Sequence, residues 1–491
     1  MDATGEAVWI APDGSDDLGE GSAEKPFASV TRAAAESGPG DVIYMKAGTY
    51  RGVVRIGCAG ARGFPVRITP APGIPHAADL VTSFVAREPI ETLTTPAGKV
   101  VVEGDRWILN EAQHVVIEGI EFRDVAHGVV TMEDRASHNV IRKCLFINCP
   151  ASVPGATSWG AGIIGVGLEA SDNVIEDCIF DRRPNRDSHL RETDVINPGQ
   201  AAWSKRWVFR RNRVAGYEKL QLGHSGAGRY PSGYHRIEDN EFFECNRAVH
   251  IKTSDNIFRG NYIHDLVSGY TQQTVGMMNR AGYRNVYEGN RVEGCSYAGI
   301  LLLSRDHVVR NNVFDGCDSG VLVAHREFGA QPAENIGVYH NTMVNCARGV
   351  HVDPRCSAWV YNNVFWRSPL VFKEPAVLPA VVADNSGIYP REKTSWGLFT
   401  RRRYRTEAIL RADYNLYFNT EPVYARDYEG GHHDVYGDPQ FVDVARRDYR
   451  LKVSSPARGA GRSLGVGHDF LGRSRPLDGP DCGAFQWERA E

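Results

Sequence analysis

One phrase returns through this chain at a fixed phase: Val116-Ile-Glu-Gly-Ile-Glu-Phe, Val140-Ile-Arg-Lys-Cys-Leu-Phe and Val174-Ile-Glu-Asp-Cys-Ile-Phe. Further along, the same slot is held by Asn212, Asn240, Asn261, Asn290, Asn312, Asn341 and Asn363, at separations of 28, 21, 29, 22, 29 and 22 residues. A basic period near 22 residues fits one coil of three short strands with bends between them, and the longer coils carry loops at the bends. Stacked coils bury one another's faces. Asparagine tolerates bend dihedrals, and its amide can bond to the next coil about 4.8 Å away, so the recurring asparagine predicts a ladder at one corner. The pattern predicts an all-β, single-stranded right-handed parallel β-helix.

Five residues after that slot come Cys149, Cys245, Cys295, Cys317 and Cys346, five of the ten cysteines. No Cys-x-x-Cys pair or His/Cys cluster accompanies them, so they are expected to be small buried thiols and no metal site is assigned. With 42% hydrophobic residues and 51 glycines the chain is too apolar for disorder and too turn-rich to be mainly helical. No apolar run approaches the roughly 20 residues of a membrane span. A net charge of -4 argues against general nucleic-acid binding, and any basic surface must be local. No basic, apolar, small-residue leader precedes Trp9. The compartment stays open, with a secreted chain that has lost its leader favoured over a cytoplasmic one.

Three segments follow. Residues 1–367 form the β-helix, with a cap over about 1–50 in which the stretch from Lys25 predicts a short helix and Gly40-Asp-Val-Ile-Tyr the first coil. Residues 368–430 lose the repeat and form a long excursion. Residues 431–491 close the chain as a C-terminal cap.

Strands in register let the sequence be read as columns, because side chains alternate along a strand and equivalent residues sit one coil apart. The informative rows begin at Leu220, Val249, Val275, Ile300, Val321 and Val350. Their outward positions are Gln221, His250, Gly276, Leu301, Leu322 and His351, then Gly223, Lys252, Met278, Leu303, Ala324 and Asp353. At the row ends Arg280, Arg305, Arg326 and Arg355 line up, within about 15 Å at the strand spacing, as an edge attractive to carboxylates or sulfates. Lys252 stands out, with His250 on its own strand and Arg280 on the next coil. Neighbouring positive charge favours the neutral amine and so makes such a lysine a usable base. A solvated strand-face lysine is the plainer alternative.

Three stretches carry a family resemblance: Leu220-Gln-Leu-Gly-His-Ser-Gly with Glu238-Asp-Asn-Glu-Phe-Phe-Glu-Cys, Lys252-Thr-Ser-Asp-Asn-Ile-Phe-Arg-Gly-Asn, and Arg280-Ala-Gly-Tyr-Arg-Asn-Val-Tyr-Glu-Gly-Asn. Together they make residues 219–293 resemble polysaccharide lyase family 6, the pectate-lyase-like β-helical group that contains chondroitinase B and many alginate lyases. The resemblance implies Lys252 as Brønsted base and Arg280 as acid or charge partner. The family usually adds two glutamates, one residue apart, as calcium ligands ahead of the lysine. Here Cys245-Asn-Arg-Ala-Val-His-Ile-Lys carries none, so no cofactor is assigned, and calcium would have to bind without that pair. Arg247, His250 or the arginine edge would then neutralise the substrate carboxylate.

The leading expectation is therefore β-elimination on an anionic, uronic-acid-containing polysaccharide. Lys252, His250 and Arg280 would form the centre, with His224, Tyr230, Tyr234, Arg305, Arg326, His351, Asp353 and Arg355 contacting substrate. A β-helical glycoside hydrolase is the alternative, pairing Asp353 with a second carboxylate such as Glu327 or Glu374, since hydrolysis needs two carboxyl groups about 5–9.5 Å apart. A non-catalytic carbohydrate-binding solenoid is the third reading.

Overall fold

The computed structural model of the chain describes residues 5–93, 98–125, 128–133, 135–149, 162–167, 169–183, 194–197, 204–223, 232–268, 273–325, 332–353, 355–372, 410–424 and 431–487. Apolar residues recur once per coil, so each strand pairs in parallel with its equivalent in the next coil. Ile117, Ile141, Ile175, Phe209 and Ile237 make one such column. Phe122, Phe146, Phe180, Val214 and Phe242 make another, in which the first three rings stack at 5.1 and 4.5 Å. These columns are buried and form the core. The fold is the right-handed parallel β-helix expected.

The chain divides into two compact units, Met1–Asn256 and Ile257–Glu491. In the first, the helix Val30–Glu36 is capped by Ser29, whose hydroxyl accepts the Arg32 N–H. A strand absent from the sequence reading, Ala7–Ile10, precedes this helix and pairs in parallel with Val42–Met45. In the second unit the strands Leu370–Phe372, Leu410–Asp413 and Leu416–Phe418 add rungs to the sheets. The coil phase therefore returns after residues 373–409, which lie outside the described residues. Phe441, Tyr449, Leu451, Cys482 and Phe485 then pack over Val344, Val364 and Leu416. Among the described residues no helix is long and apolar enough to cross a membrane.

The corner is built from two adjacent residues. The one before each ladder asparagine is left-handed: Arg211, Asp239, Asn311, His340, Asn362 and Tyr414 have φ between 52° and 59°, and glycine takes the position at Gly260 and Gly289. A left-handed non-glycine residue costs about 1 kcal/mol, so something must hold it. The asparagine does so. In the first unit the Asn212 N–H donates to Asn240 Oδ1 at 2.9 Å, and in the second the series Asn261, Asn290, Asn312, Asn341, Asn363 and Asn415 repeats that bond at 2.9–3.0 Å. Asp434 closes it by accepting the Asn415 N–H at 2.8 Å. All ten cysteines are buried and unbridged. Those of the predicted column point their Sγ at carbonyl oxygens of their own coil, and all but Cys295 also at one of the coil before, as Cys149 does at Ile147 O and Phe122 O.

A second, mixed ladder was not anticipated. Asn139 accepts from Val115 N–H and Asn173 from Asn139 N–H, and then a histidine takes over: His235 Nδ1 accepts the Trp207 N–H at 3.3 Å. In the second unit His307 Nδ1 accepts the Asn285 N–H at 3.2 Å. An acceptor nitrogen must be unprotonated, and burial lowers the pKa of both imidazoles, to about 4 for His235 and about 3 for His307.

Two outcomes follow from these ladders. Asn312→Ala removes the acceptor of the Asn290 N–H and side-chain amide. It is expected to cost about 1–3 kcal/mol for each stranded donor, read as a lower urea midpoint with an unchanged far-ultraviolet circular dichroism spectrum. An unshifted midpoint would contradict the ladder's role. For His235 the folded pKa lies below the unfolded one, so its stabilisation is complete above about pH 6.5, drains away as the pH falls, and is gone below about 4. His235→Asn keeps an acceptor that does not titrate, and should flatten the stability-against-pH slope between those limits.

Candidate functional site

Lys252 follows directly on the strand Arg247–Ile251, whose register with Leu220–Leu222 sets Val249 beside Leu220, His250 beside Gln221 and Ile251 beside Leu222. This is the alignment predicted for those two rows. The Lys252 N–H donates to Leu222 O at 2.8 Å. Gly223 (φ +86) lies so close that an added Cβ would stand 2.6 Å from Thr253 Cγ2 and 3.3 Å from the Lys252 backbone carbonyl carbon. The next bend is pinned too, by Asn256 Nδ2 donating to Thr253 Oγ1 at 2.9 Å and by the Tyr234 N–H donating to Ser254 O at 3.1 Å. The lysine is thus fixed in place by its own coil and the one before it.

The expected open face is instead covered. Lys252 is 6% exposed, His250 0% and Gln221 7%. His250 and Lys252, two residues apart, fall on one face of the strand with Cα atoms about 6.6 Å apart. Arg247 is five residues from Lys252, about 16 Å along an extended chain, so its guanidinium would have to turn back along the strand to meet a carboxylate there. Instead Arg247 Nη2 lies 3.5 Å from Glu218 Oε1, Lys219 Nζ lies 3.7 Å from the same oxygen, and Lys219 Nζ lies 3.4 Å from Asp194 Oδ1. Two cations and Asp194 are buried here, with Glu218 half-buried beside them, across three coils. This cluster was missed because its members are far apart in sequence. The legible signal was a Glu-Lys pair, Glu218 and Lys219, and Arg247 placed immediately before apolar strand residues, where a charge needs a partner.

Among the other predicted contacts in the first unit, Tyr234 is 54% exposed and sits at a left-handed corner (φ 59°). His224 and Tyr230 lie outside the described residues.

In the second unit the register departs from the predicted columns. Met277, Ile300, Val321 and Val350 pair in one column and Met278, Leu301, Leu322 and His351 in the next. The row beginning at Val275 was therefore set two residues out of phase. Glycine decides it: Gly276, Gly299 and Gly320 pack so tightly that an added Cβ on each would stand 2.5–2.7 Å from the carbonyl oxygen of the glycine in the next coil. The pairs Ala298-Gly299, Ser319-Gly320 and Arg348-Gly349 would have given this register from sequence. As a consequence Arg280 is level with Leu303, Ala324 and Asp353, two residues short of Arg305 and Arg355, and it does not belong to the predicted arginine column. Arg280 is buried and lies in the second compact unit. Arg326, Glu327 and Glu374 lie outside the described residues.

Most of this outer column is apolar and covered: Met278, Leu301, Leu303, Leu322 and Ala324 cluster with Tyr297. His351 is also buried. Arg305 lies over the Tyr283 ring at 5.0 Å. Arg355 grips Asp353 through Nε at 3.0 Å and Nη2 at 2.6 Å. Burial pushes the Asp353 carboxyl up, but the Arg355 guanidinium and the backbone N–H groups of Arg355 and His325 outweigh it and hold the group below the usual carboxylate range. A carboxylate held ionised with both oxygens engaged is a poor proton donor. Among the described residues no group of three or more His, Cys, Asp or Glu could hold a metal ion.

Comparison with known proteins agrees with this architecture. Residues 198–365 match the family model described as right handed beta helix region. An uncharacterized protein of Bacillus subtilis (strain 168), YwoF, is 21% identical over 511 residues, covering 93% of each chain. Among solved structures, a mannuronic acid specific polysaccharide family 6 lyase from human gut microbiota superposes with a TM-score of 0.56 at 15% identity, over 89% of this chain and 92% of that one. The family 6 alginate lyase AlyGC gives 0.52 at 15% identity, over 91% of this chain and 57% of that one. The fold is thus a β-helix like that of family 6 polysaccharide lyases.

The buried cluster yields its own prediction. Lys219→Met leaves Asp194 and Glu218 with one cation fewer and should destabilise the fold by about 3–5 kcal/mol. Adding Asp194→Leu should restore part of that loss in a double-mutant cycle followed by urea unfolding. Additive losses would show that the two side chains do not interact.

Proposed function

We propose that the chain is a polysaccharide lyase that cleaves a uronic-acid-containing glycan by β-elimination, with Lys252 as the base. The observation that carries this reading is Lys252 itself, a lysine withdrawn from water and locked by the Leu222 carbonyl and Gly223, with His250 on the same face. The likeness in fold to family 6 lyases supports it, as does the sequence resemblance over residues 219–293.

In the proposed step Lys252 Nζ takes the proton from C5 of the uronate. The electron pair left behind is delocalised into the carboxylate as an enolate and then forms the C4–C5 double bond as the C4–O bond breaks. The leaving oxygen takes a proton from an acid. Exposed Tyr234, bonded through its N–H to Ser254 two residues beyond Lys252, offers a hydroxyl for this. Arg280 enters as charge partner through the resemblance alone. The substrate would be an anionic polysaccharide, met by a secreted chain, and no metal is assigned to the step. A hydrolase with Asp353 as its acid is disfavoured because Arg355 keeps that carboxyl ionised.

The test is a panel of alginate, polygalacturonate, dermatan sulfate and heparin followed by the near-ultraviolet absorbance of the new double bond, with and without chelator. Lys252→Ala is expected to lower turnover about 10²–10⁴-fold with little change in thermal midpoint. Full turnover by that variant would remove Lys252 from the chemistry.

A further inference from the structure

In the second unit, one sheet presents aromatic rings on neighbouring strands. Tyr339 lies on Ile336–Tyr339, Trp359 and Tyr361 lie on Ala358–Tyr361, and Arg411 lies on Leu410–Asp413. The register sets Tyr339 beside Tyr361, and Gly337, Trp359 and Arg411 in a row. Gly337 is required there. Its missing side chain leaves room for the Tyr339 phenol, whose Cε2, Cζ and hydroxyl stand 2.5–2.7 Å from where a Cβ would be. The two tyrosine rings are 6.4 Å apart and tilted by 30°. With Trp359, Arg411, Arg462 and Asn335 they line an open groove of about 390 Å³. This sheet is a different one from the sheet that carries His351 and Asp353.

Two of the lining groups are held in place. The Arg462 backbone is clamped by Asn362, which accepts its N–H at 3.0 Å and donates to its carbonyl at 2.8 Å. Its guanidinium lies 5.3 Å from the Tyr361 ring centre and 5.8 Å from that of Tyr414. Asn335 is fixed by its N–H to Ser357 Oγ at 2.8 Å and its amide to Asp306 Oδ1 at 2.7 Å. Arg411 and Arg462 are exposed.

We propose that this groove binds a segment of an anionic oligosaccharide at a site of its own. Aromatic faces accept the CH face of a pyranose ring, burying apolar area while leaving its hydroxyls in water. A guanidinium held over a ring presents its fork to a carboxylate or sulfate. Rings on one strand after another, with arginines beside them, suit a chain that alternates apolar ring faces with single charges. A single-stranded nucleic acid fits less well: it needs a continuous positive track along its phosphates, and Asp306 and Asp413 stand beside these residues. The site does not depend on the lyase reading, since none of its residues enters that chemistry.

The experiment is affinity electrophoresis of the full chain carrying Lys252→Ala, so that no gel matrix is cut, in native gels containing alginate, polygalacturonate or dermatan sulfate, with dextran as the neutral control. Retardation by at least one polyuronate and not by dextran is expected, with Trp359→Ala or Arg462→Ala weakening it about tenfold or more. Arg411→Glu, a change at an exposed side chain, guards against misfolding and should weaken it as well. Variants retarded like their parent, no retardation in any charged gel, equal retardation in dextran, or stronger competition by a single-stranded DNA oligomer than by an oligouronate would each overturn the proposal. A lyase reading that failed would leave these gels unchanged.

Discussion

The bond from a ladder asparagine's main-chain N–H to the side-chain carbonyl of the next asparagine is the constraint on which the coils from Asn212 onward depend. It is made beside a left-handed residue, so the strain of a sharp corner and the bond that holds the corner occur together. A coil could otherwise widen its bend or slip by a residue, and a slip of one residue would turn the inward apolar column out to water. The amide nitrogens of Asn290, Asn312, Asn341, Asn363 and Asn415 also donate to strand carbonyls, as Asn312 Nδ2 does to Tyr287 O at 2.9 Å, which ties the corner to the strand before it. In those coils the corners also set the height at which inward residues such as Val214 and Phe242 stack.

The same rigidity explains how charged groups survive inside this fold. Lys219, Asp194, Glu218 and Arg247 lie among strands whose separation is set elsewhere, so their mutual distances of 3.4–3.7 Å are maintained without flexible side chains having to find each other. Lys252 draws on the same support. Its backbone is tied to Leu222 and its neighbour Gly223 admits no side chain, so the amine is presented from a frame with little freedom. In the proposed step, preorganisation of that kind is what proton abstraction from a weak carbon acid requires. Asp353, by contrast, is neutralised by the arginine two residues further on.

Much of this was legible in the sequence because the repeat is written in residues with a single physical use. Asparagine after a left-handed residue marks a corner, and the cysteine five residues later marks a small buried slot, so the β-helix and its two columns could be placed from letters alone. The mixed ladder was not legible, because His235 and His307 do an asparagine's work with a ring nitrogen. The row at Val275 was misread for a related reason: its apolar residues match two registers equally well, and the deciding contact, backbone against Gly276 and Gly299, leaves no hydrophobic signature. That single shift dissolved the predicted line from Arg280 to Arg355. Burial was the other gap, since alternation says which way a residue points and not what lies over it. Lys252, His250 and His351, read as outward from their rows, are buried.

The central claim is that this β-helix cuts its substrate by elimination, with bond cleavage that consumes no water. Digestion of a susceptible polyuronate in water enriched in heavy oxygen, followed by mass spectrometry of both new ends, tests it most directly. Elimination predicts an unsaturated uronate at the new non-reducing end, and heavy oxygen at the new reducing end no faster than a free reducing sugar takes it up by exchange with water. A saturated non-reducing end, with heavy oxygen on the new anomeric carbon from the moment of cleavage, would mean hydrolysis and would contradict the account.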